Sequence, residues 1–268
     1  MMLDGLTAPV KPGPPTGKTS TLRDIIPKRK MTAELRVILA DRTAGATEIA
    51  RRALAHIAAG GVKDPAEAVR LLTTARPDFA VLVNLGCRLS ELARSGGLTP
   101  EAVSQLLAEL EGAAERAAER AAHLLSLGAD VVTASYSSQV VRAVELYRGR
   151  GGGRIWVWVT DPQDPVGRRT AAVLGAEVIT SLEGLGQPVG LIGADAVFVD
   201  GSVINGSPSL GLAEALAGRG APLYVVATSF KLLPGPPHSP MEPGFELVPA
   251  RLIAAVVLEE GPWRPASA

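Results

Sequence analysis

The sequence holds one cysteine, Cys87, which excludes an internal disulfide framework and a four-cysteine metal site. Cys87 stands within an apolar helical pattern, so the expectation is a packed core thiol rather than a reactive one. The three histidines, His56, His123 and His238, lie far apart and lack ligand spacing; neither a metal nor a cofactor is expected. Charge of either sign is also missing in excess. Acids and bases balance at 27 each and no dense Lys/Arg run occurs, which argues against a direct nucleic-acid surface. No apolar run approaches the ~20 residues of a membrane span, so no membrane partner is expected. The start lacks the charged-then-apolar order of a signal peptide, and a cytoplasmic protein is the expectation. Aromatics are scarce at 4%, so the core must be built from aliphatic side chains.

Apolar residues make up 47% of the 268, enough for one large domain or two small ones. Residues 1 to about 30 are rich in Pro, Gly, Thr and Lys and read as a mobile tail. Within it, Gly13 to Thr19 imitates a phosphate-binding loop, but the glycines are one residue too close and two prolines between them offer no N–H. A helical domain is expected over 31–126. Ala46 to Ala59 places Ile49, Ala53, Leu54 and Ile57 on one face, and Gly60-Gly61 ends it. Asp64-Pro65 and Thr99-Pro100 read as N-cap and first-turn pairs opening further helices, with Phe79 to Leu92 between them.

At Gly128-Ala129-Asp130 the pattern changes to strands alternating with helices, and residues 127–268 read as a Rossmann-like, parallel-sheet α/β domain. Val131 to Thr133 and Arg154 to Thr160 are strands, with Trp156 and Trp158 on one face of the second. Ser137 to Arg148 and Val166 to Leu174 are helices; Glu177 to Thr180 and Val189 to Ile192 are strands. The stretch Gly193 to Asn205 reads as a buried strand over Ala196 to Val199, a turn, and the start of a helix. With the helix at Leu210 to Ala217 and the strand Pro222 to Ala227, that makes a βαβ unit whose loops carry Asp195 and Asn205 toward a ligand crevice. Phe245 to Glu259 reads as a strand edge followed by a final helix.

Several of these pieces carry a resemblance. Asp41 to Ala50, Ala75 to Asn84, Val131 to Ser138, Gly193-Ala-Asp195 with Asn205 ten residues on, Pro222 to Lys231 and Glu259-Glu-Gly261 occur in this order. Together they resemble the alpha/beta/delta subunits of translation initiation factor 2B. That family's relatives are methylthioribose-1-phosphate isomerase and ribose-1,5-bisphosphate isomerase. The resemblance covers all but the tail. It implies a helical N-terminal domain, a Rossmann-like C-terminal domain and a homodimer built through the latter.

The departures from the family bear on function. Thr133-Ala134-Ser135 stands where the isomerases carry Thr-His and a catalytic cysteine, and a serine hydroxyl without an adjacent imidazole is a weak acid and nucleophile. Ser135-Tyr136-Ser137 instead resembles the Ser-Tyr-Ser of the initiation-factor subunits. Ala44-Gly45-Ala46 lacks the arginine of the isomerases' Arg-Gly-Ala phosphate loop. Gly206 stands where both branches usually have lysine, and Thr160 to Gln163 lacks the arginine of a Glu-Ser-Arg-Pro strand end.

What remains is a set of candidates. Asp195 matches the family's catalytic aspartate, and its type fits a turn cap equally. Asn205 fits a ligand hydroxyl or a helix cap. Ser135 and Ser137 fit a phosphate at a helix N-terminus or plain capping, readings that are compatible. Lys231, Arg42 and Arg168 are the cations left to meet an anionic ligand. Three functions stay open. One is a non-catalytic, initiation-factor-2B-like protein that senses a sugar phosphate or nucleotide and has a translation-factor partner. Another is an aldose–ketose isomerase using Asp195. The third is a plain phosphorylated-ligand binder.

Overall fold

The computed structural model describes residues 28–62, 64–235 and 241–264. The Gly13 to Thr19 stretch and nearly all of the expected tail lie outside them. The chain opens with helices α1 (Lys28–Leu39), α2 (Ala46–Ala58), α3 (Pro65–Ala75), α4 (Ala80–Arg94) and α5 (Pro100–Leu124). Their starts follow from the proline-flanked caps: Asp64 accepts from the Ala66 N–H at 3.0 Å, and Thr99 Oγ1 from the Ala102 N–H at 3.2 Å. Apolar faces meet in one cluster around Leu35, Ile49, Leu54, Leu72, Leu85 and Leu110. α5 then changes partners. Its alanine-rich second half, Ala117, Ala118, Ala121 and Ala122, packs instead with Val131, Val140 and Leu191 of the α/β portion. Small side chains there let the helix lie close to what it covers. Cys87 departs from its expected packing: it is exposed on α4, because the buried stripe runs through Leu82, Leu85, Gly86 and Leu89.

The α/β portion comprises β1 (Asp130–Thr133), α6 (Ser138–Gly149), β2 (Ile155–Trp158), α7 (Pro165–Leu174), β3 (Glu177–Ile179) and β4 (Pro188–Ile192). It continues with β5 (Ala196–Phe198), β6 (Val203–Gly206), α8 (Ser209–Ala217), β7 (Leu223–Val226), β8 (Leu232–Leu233), β9 (Phe245–Val248), β10 (Ala255–Leu258) and β11 (Gly261–Trp263). The main sheet has the order β11-β10-β7-β4-β1-β2-β3. Its neighbours pair in parallel except β10 with β11. The chain enters in the middle at β1, runs outward to β2 and β3, then restarts on the other side of β1 with β4, β7 and β10. This reversal makes the gap beyond β1 and β4 the topological switch point, where open α/β sheets place ligands. Trp156 and Trp158 are half-buried among the apolar side chains on one side of the sheet, and Trp156 Nε1 donates to Asp130 at 3.2 Å.

Two expectations are corrected. The Gly193 to Asn205 stretch is a hairpin and not a strand leading into a helix. β5 pairs antiparallel with β6, and both belong to a second sheet of order β8-β5-β6-β9. Asp200 accepts from the Ser202 N–H and hydroxyl, and Gly201 at φ 85° completes the turn that sends β-branched Val203 and Ile204 back as a strand. The βαβ unit therefore runs from β4 through α8 to β7. The stretch Phe245 to Glu259 also holds no final α-helix. Ala255 to Leu258 is a strand buried on both faces between β7 and β11, as a run rich in valine in a parallel sheet should be. Among the described residues no helix is long and apolar enough to cross a membrane.

Candidate functional site

At the switch point, β1 is followed by Ser135, Tyr136 and Ser137, and β4 by Gly193, Ala194 and Asp195. Ser135 is the one described non-glycine residue in the left-handed region, at φ 60°, with its carbonyl accepting from Thr170 Oγ1 at 3.1 Å. A non-glycine residue held there marks an over-determined loop. Ser137 caps α6, accepting from the Val140 N–H at 3.4 Å. The two loops touch: a Cβ on Gly193 would stand 2.5 Å from Ser137 Oγ, so only glycine admits this approach.

Asp195 is half-buried and lines a cleft of about 530 Å³. Its backbone is fixed on both sides, N–H donating to Ile204 at 2.8 Å and carbonyl accepting from Ala80 in the first turn of α4 at 3.0 Å. Lys231 lies behind it, 3% exposed, donating to the Ala194 carbonyl at 2.6 Å and Gln139 Oε1 at 3.0 Å. Asn84 of α4 holds the chain around this lysine by donating to the carbonyls of Phe230 and Leu232, both at 2.8 Å. Burial pushes the Asp195 carboxyl up to about 6; Lys231 and Arg76 oppose that rise, while Asp78 and Glu242 add to it. Burial likewise pushes the Lys231 ammonium down to about 8 against the attraction of Asp195. From about pH 6 to about 8 both groups are charged. A space of about 10 Å³, the size of one water, separates them from the N-termini of α2 and α6; Thr47, Ser138 and Asn205 also line it.

The wall and mouth of the cleft are cationic. Arg76 is nearly buried, its guanidinium 3.8 Å above the Phe79 ring, with Nη1 donating to the Asp41 carbonyl at 3.0 Å. It forks onto Glu242 through Nε at 3.1 Å and Nη2 at 3.0 Å. Arg42, largely exposed, also pairs with Glu242. Arg169 lies 4.7 Å above the Tyr136 ring and donates to the Thr43 carbonyl at 2.6 Å. Each guanidinium thus lies over one ring face, Arg76 on Phe79 and Arg169 on Tyr136.

The structure thus brings Ser135, Asp195 and Arg42 to the cleft, while Ser137, Asn205 and Lys231 line the water-sized space beside it, with Asp195 common to both. Arg168 is not brought there; it is exposed and donates to Gln163, while its neighbour Arg169 lines the cleft. Asn205 is 4% exposed and spends its amide N–H on Ser209 Oγ at 2.8 Å, which bears on the start of α8. Two of the departures from the family meet in space. A Cβ on Gly206 would lie 2.3 Å from Ser135 Oγ, so a lysine at 206 requires Ser135 to move. Arg76, Arg169, Gln139 and Glu242 were not singled out from sequence. Arg76 had a signal, since Ala75-Arg-Pro-Asp78 lies in one of the stretches carrying the resemblance. Glu242 had none, standing 166 residues from Arg76 in an irregular Pro-rich segment.

Comparison with known proteins places this arrangement. No family model matches the sequence. The translation initiation factor eIF-2B of Pyrococcus horikoshii OT3 superposes with a TM-score of 0.70 and 21% identity, over 90% of this chain and 98% of that one. The fold is that of the initiation-factor-2B subunits. A chain of the tetrameric eIF2B-beta2-delta2 complex from C. thermophilum gives a TM-score of 0.70 at 16% identity, over 91% of this chain and 93% of that one. By sequence, the ribose 1,5-bisphosphate isomerase of Haloferax volcanii is 33% identical over 103 residues, 29% of this chain. The match spans about a third, 32%, of that curated relative's length. The 2B-subunit fold agrees with the reading of a helical region followed by a mostly parallel sheet. The isomerase likeness agrees with the relatives expected for it.

Proposed function

We propose that this chain binds a sugar phosphate in the cleft above Asp195 and does not turn it over. The observation that carries the reading is the convergence of three arginines, Arg42, Arg76 and Arg169, with Asp195 and Ser135 on one cleft. Guanidiniums favour a phosphoryl group, while Asp195 and the Ser135 hydroxyl suit a polyol. The cleft volume of about 530 Å³ fits a pentose phosphate. Coverage of the Phe79 and Tyr136 faces by Arg76 and Arg169 supports a sugar over a nucleobase. Ser135 in place of a thiol supports binding without isomerisation. We propose further that it associates with itself or with other initiation-factor-2B-like chains, as a translation-factor or regulatory subunit would; the tetrameric neighbour supports this.

One observation favours a second reading, an aldose–ketose isomerase. Asp195, with its pKa raised to about 6 and the cleft open above it, is a group of the kind that shuttles a proton between adjacent carbons. Calorimetry with ribose 1,5-bisphosphate is expected to show saturable binding, at least tenfold tighter than for a nucleoside monophosphate. A preference for the nucleotide, or no heat with either, contradicts the proposal.

A further inference from the structure

Two of the arginines that line the cleft already hold an anion, and it belongs to the chain. The Glu242 carboxylate sits on the Arg76 fork, Oε1 on Nε at 3.1 Å and Oε2 on Nη2 at 3.0 Å, and Arg42 takes Oε2 as well. Its backbone is tethered: the Glu242 N–H donates to Asp78 at 2.6 Å, the Phe245 N–H to the Glu242 carbonyl at 3.2 Å, and the Ser207 N–H to the Gly244 carbonyl at 2.8 Å. Arg42 and Arg76 line the same cleft as Asp195, so the groups that Glu242 holds are those an incoming anionic ligand would use.

We propose that Glu242 is a specificity-determining residue, a tethered competitor that reserves the Arg42–Arg76 pair for phosphoryl groups and excludes carboxylates. This rests on the sugar-phosphate reading of the cleft. A carboxylate ligand offers the arginines the same group and charge that Glu242 offers, and Glu242 acts at the high effective concentration of a tethered group. It gains nothing by exchange. A phosphate monoester at neutral pH carries about −1.5 to −2 charges and three acceptor oxygens. It can engage both guanidiniums at once and so displaces the carboxylate.

The test uses calorimetry on the full chain and its Glu242→Gln variant, with ribose 5-phosphate and riburonate, the ribose whose C5 is a carboxylate, as pentose ligands with different anionic groups at the same end. Wild type is expected to prefer the phosphate by at least tenfold. Glu242→Gln is expected to tighten riburonate by at least tenfold and to narrow that preference. An unchanged preference, with the phosphate still bound, overturns the role of Glu242 and leaves the sugar-phosphate reading standing. No binding of either ligand by either protein overturns both. Should the variant fail to fold, hydrogen exchange on wild type decides. Saturating ribose 5-phosphate is expected to speed exchange at the Glu242 and Phe245 amides and to leave Leu247 unchanged; unaltered exchange at Glu242 and Phe245 overturns displacement.

Discussion

At neutral pH, Lys231→Met is expected to lower the unfolding free energy by about 3–5 kcal/mol, the cost of leaving two buried acceptors without their donor and a nearby carboxylate without its cation. The substitution strips the Ala194 carbonyl and Gln139 Oε1 of their donor, and it removes the positive charge that tempers Asp195. The pH dependence separates these effects. The folded-state pKa of Asp195 lies above its ordinary value, so its favourable contribution is fully present below about pH 4 and is lost as pH rises through about 6. Without Lys231 the carboxylate is costlier to keep charged, and that loss deepens. The deficit should therefore be largest near pH 7.5 and smaller near pH 4.5 in denaturant titrations, roughly one pKa unit being worth ~1.4 kcal/mol. Adding Asp195→Asn should recover part of it near pH 7.5. The same deficit at both pH values, with no rescue, would show that Lys231 acts only through its hydrogen bonds.

Arg76→Leu is expected to be comparably costly, again about 3–5 kcal/mol, and to abolish measurable binding of a sugar phosphate. Arg76 joins regions far apart in sequence: Asp41 at the start of the α1–α2 loop, Phe79 before α4, and Glu242 near the far end of the chain. Leucine keeps the contact with Phe79 but leaves Glu242 with Arg42 alone, in a site where only 17% of the Glu242 side chain is exposed. Pairing the change with Glu242→Gln should return stability without returning binding. Chemical denaturation and calorimetry on the same samples read the two effects. A stable Arg76→Leu protein that binds as wild type does would remove the cationic wall from the account.

The helices at the start were legible because their apolar positions recur at helical spacing and their caps precede prolines, as at Asp64 and Thr99. The β1, β2 and β3 strands were legible because turn residues bound each β-branched run. The hairpin at Ala196 to Gly206 was not. Asp-Gly-Ser after a short strand is a turn signal with no direction in it, and the choice between helix and return strand was made by β7, which takes the place beside β4. β10 failed for a related reason: four apolar residues carry no period, and burial on both faces decided it. For the site, Asp195, Asn205 and the serines could be placed by motif. Arg169 in place of Arg168 could not, since neighbours on a helix differ by 100° and the sequence does not show which one faces the sheet end. Glu242 acts through tertiary contact alone.

The central claim, a cleft that binds a sugar phosphate and leaves it unchanged, is tested most directly by incubating the purified chain with ribose 1,5-bisphosphate and following ketose formation. Calorimetry on the same preparation shows that the ligand is bound. Isomerisation needs a positioned acid–base pair, each member of which typically contributes about 10²–10⁴-fold. Ser135 is a poor stand-in for a thiol, and buried Ala134 places no imidazole beside it. The account predicts saturable binding with no ketose above the uncatalysed background. Turnover by wild type that disappears in Asp195→Asn, with binding retained, would contradict it and establish the isomerase reading.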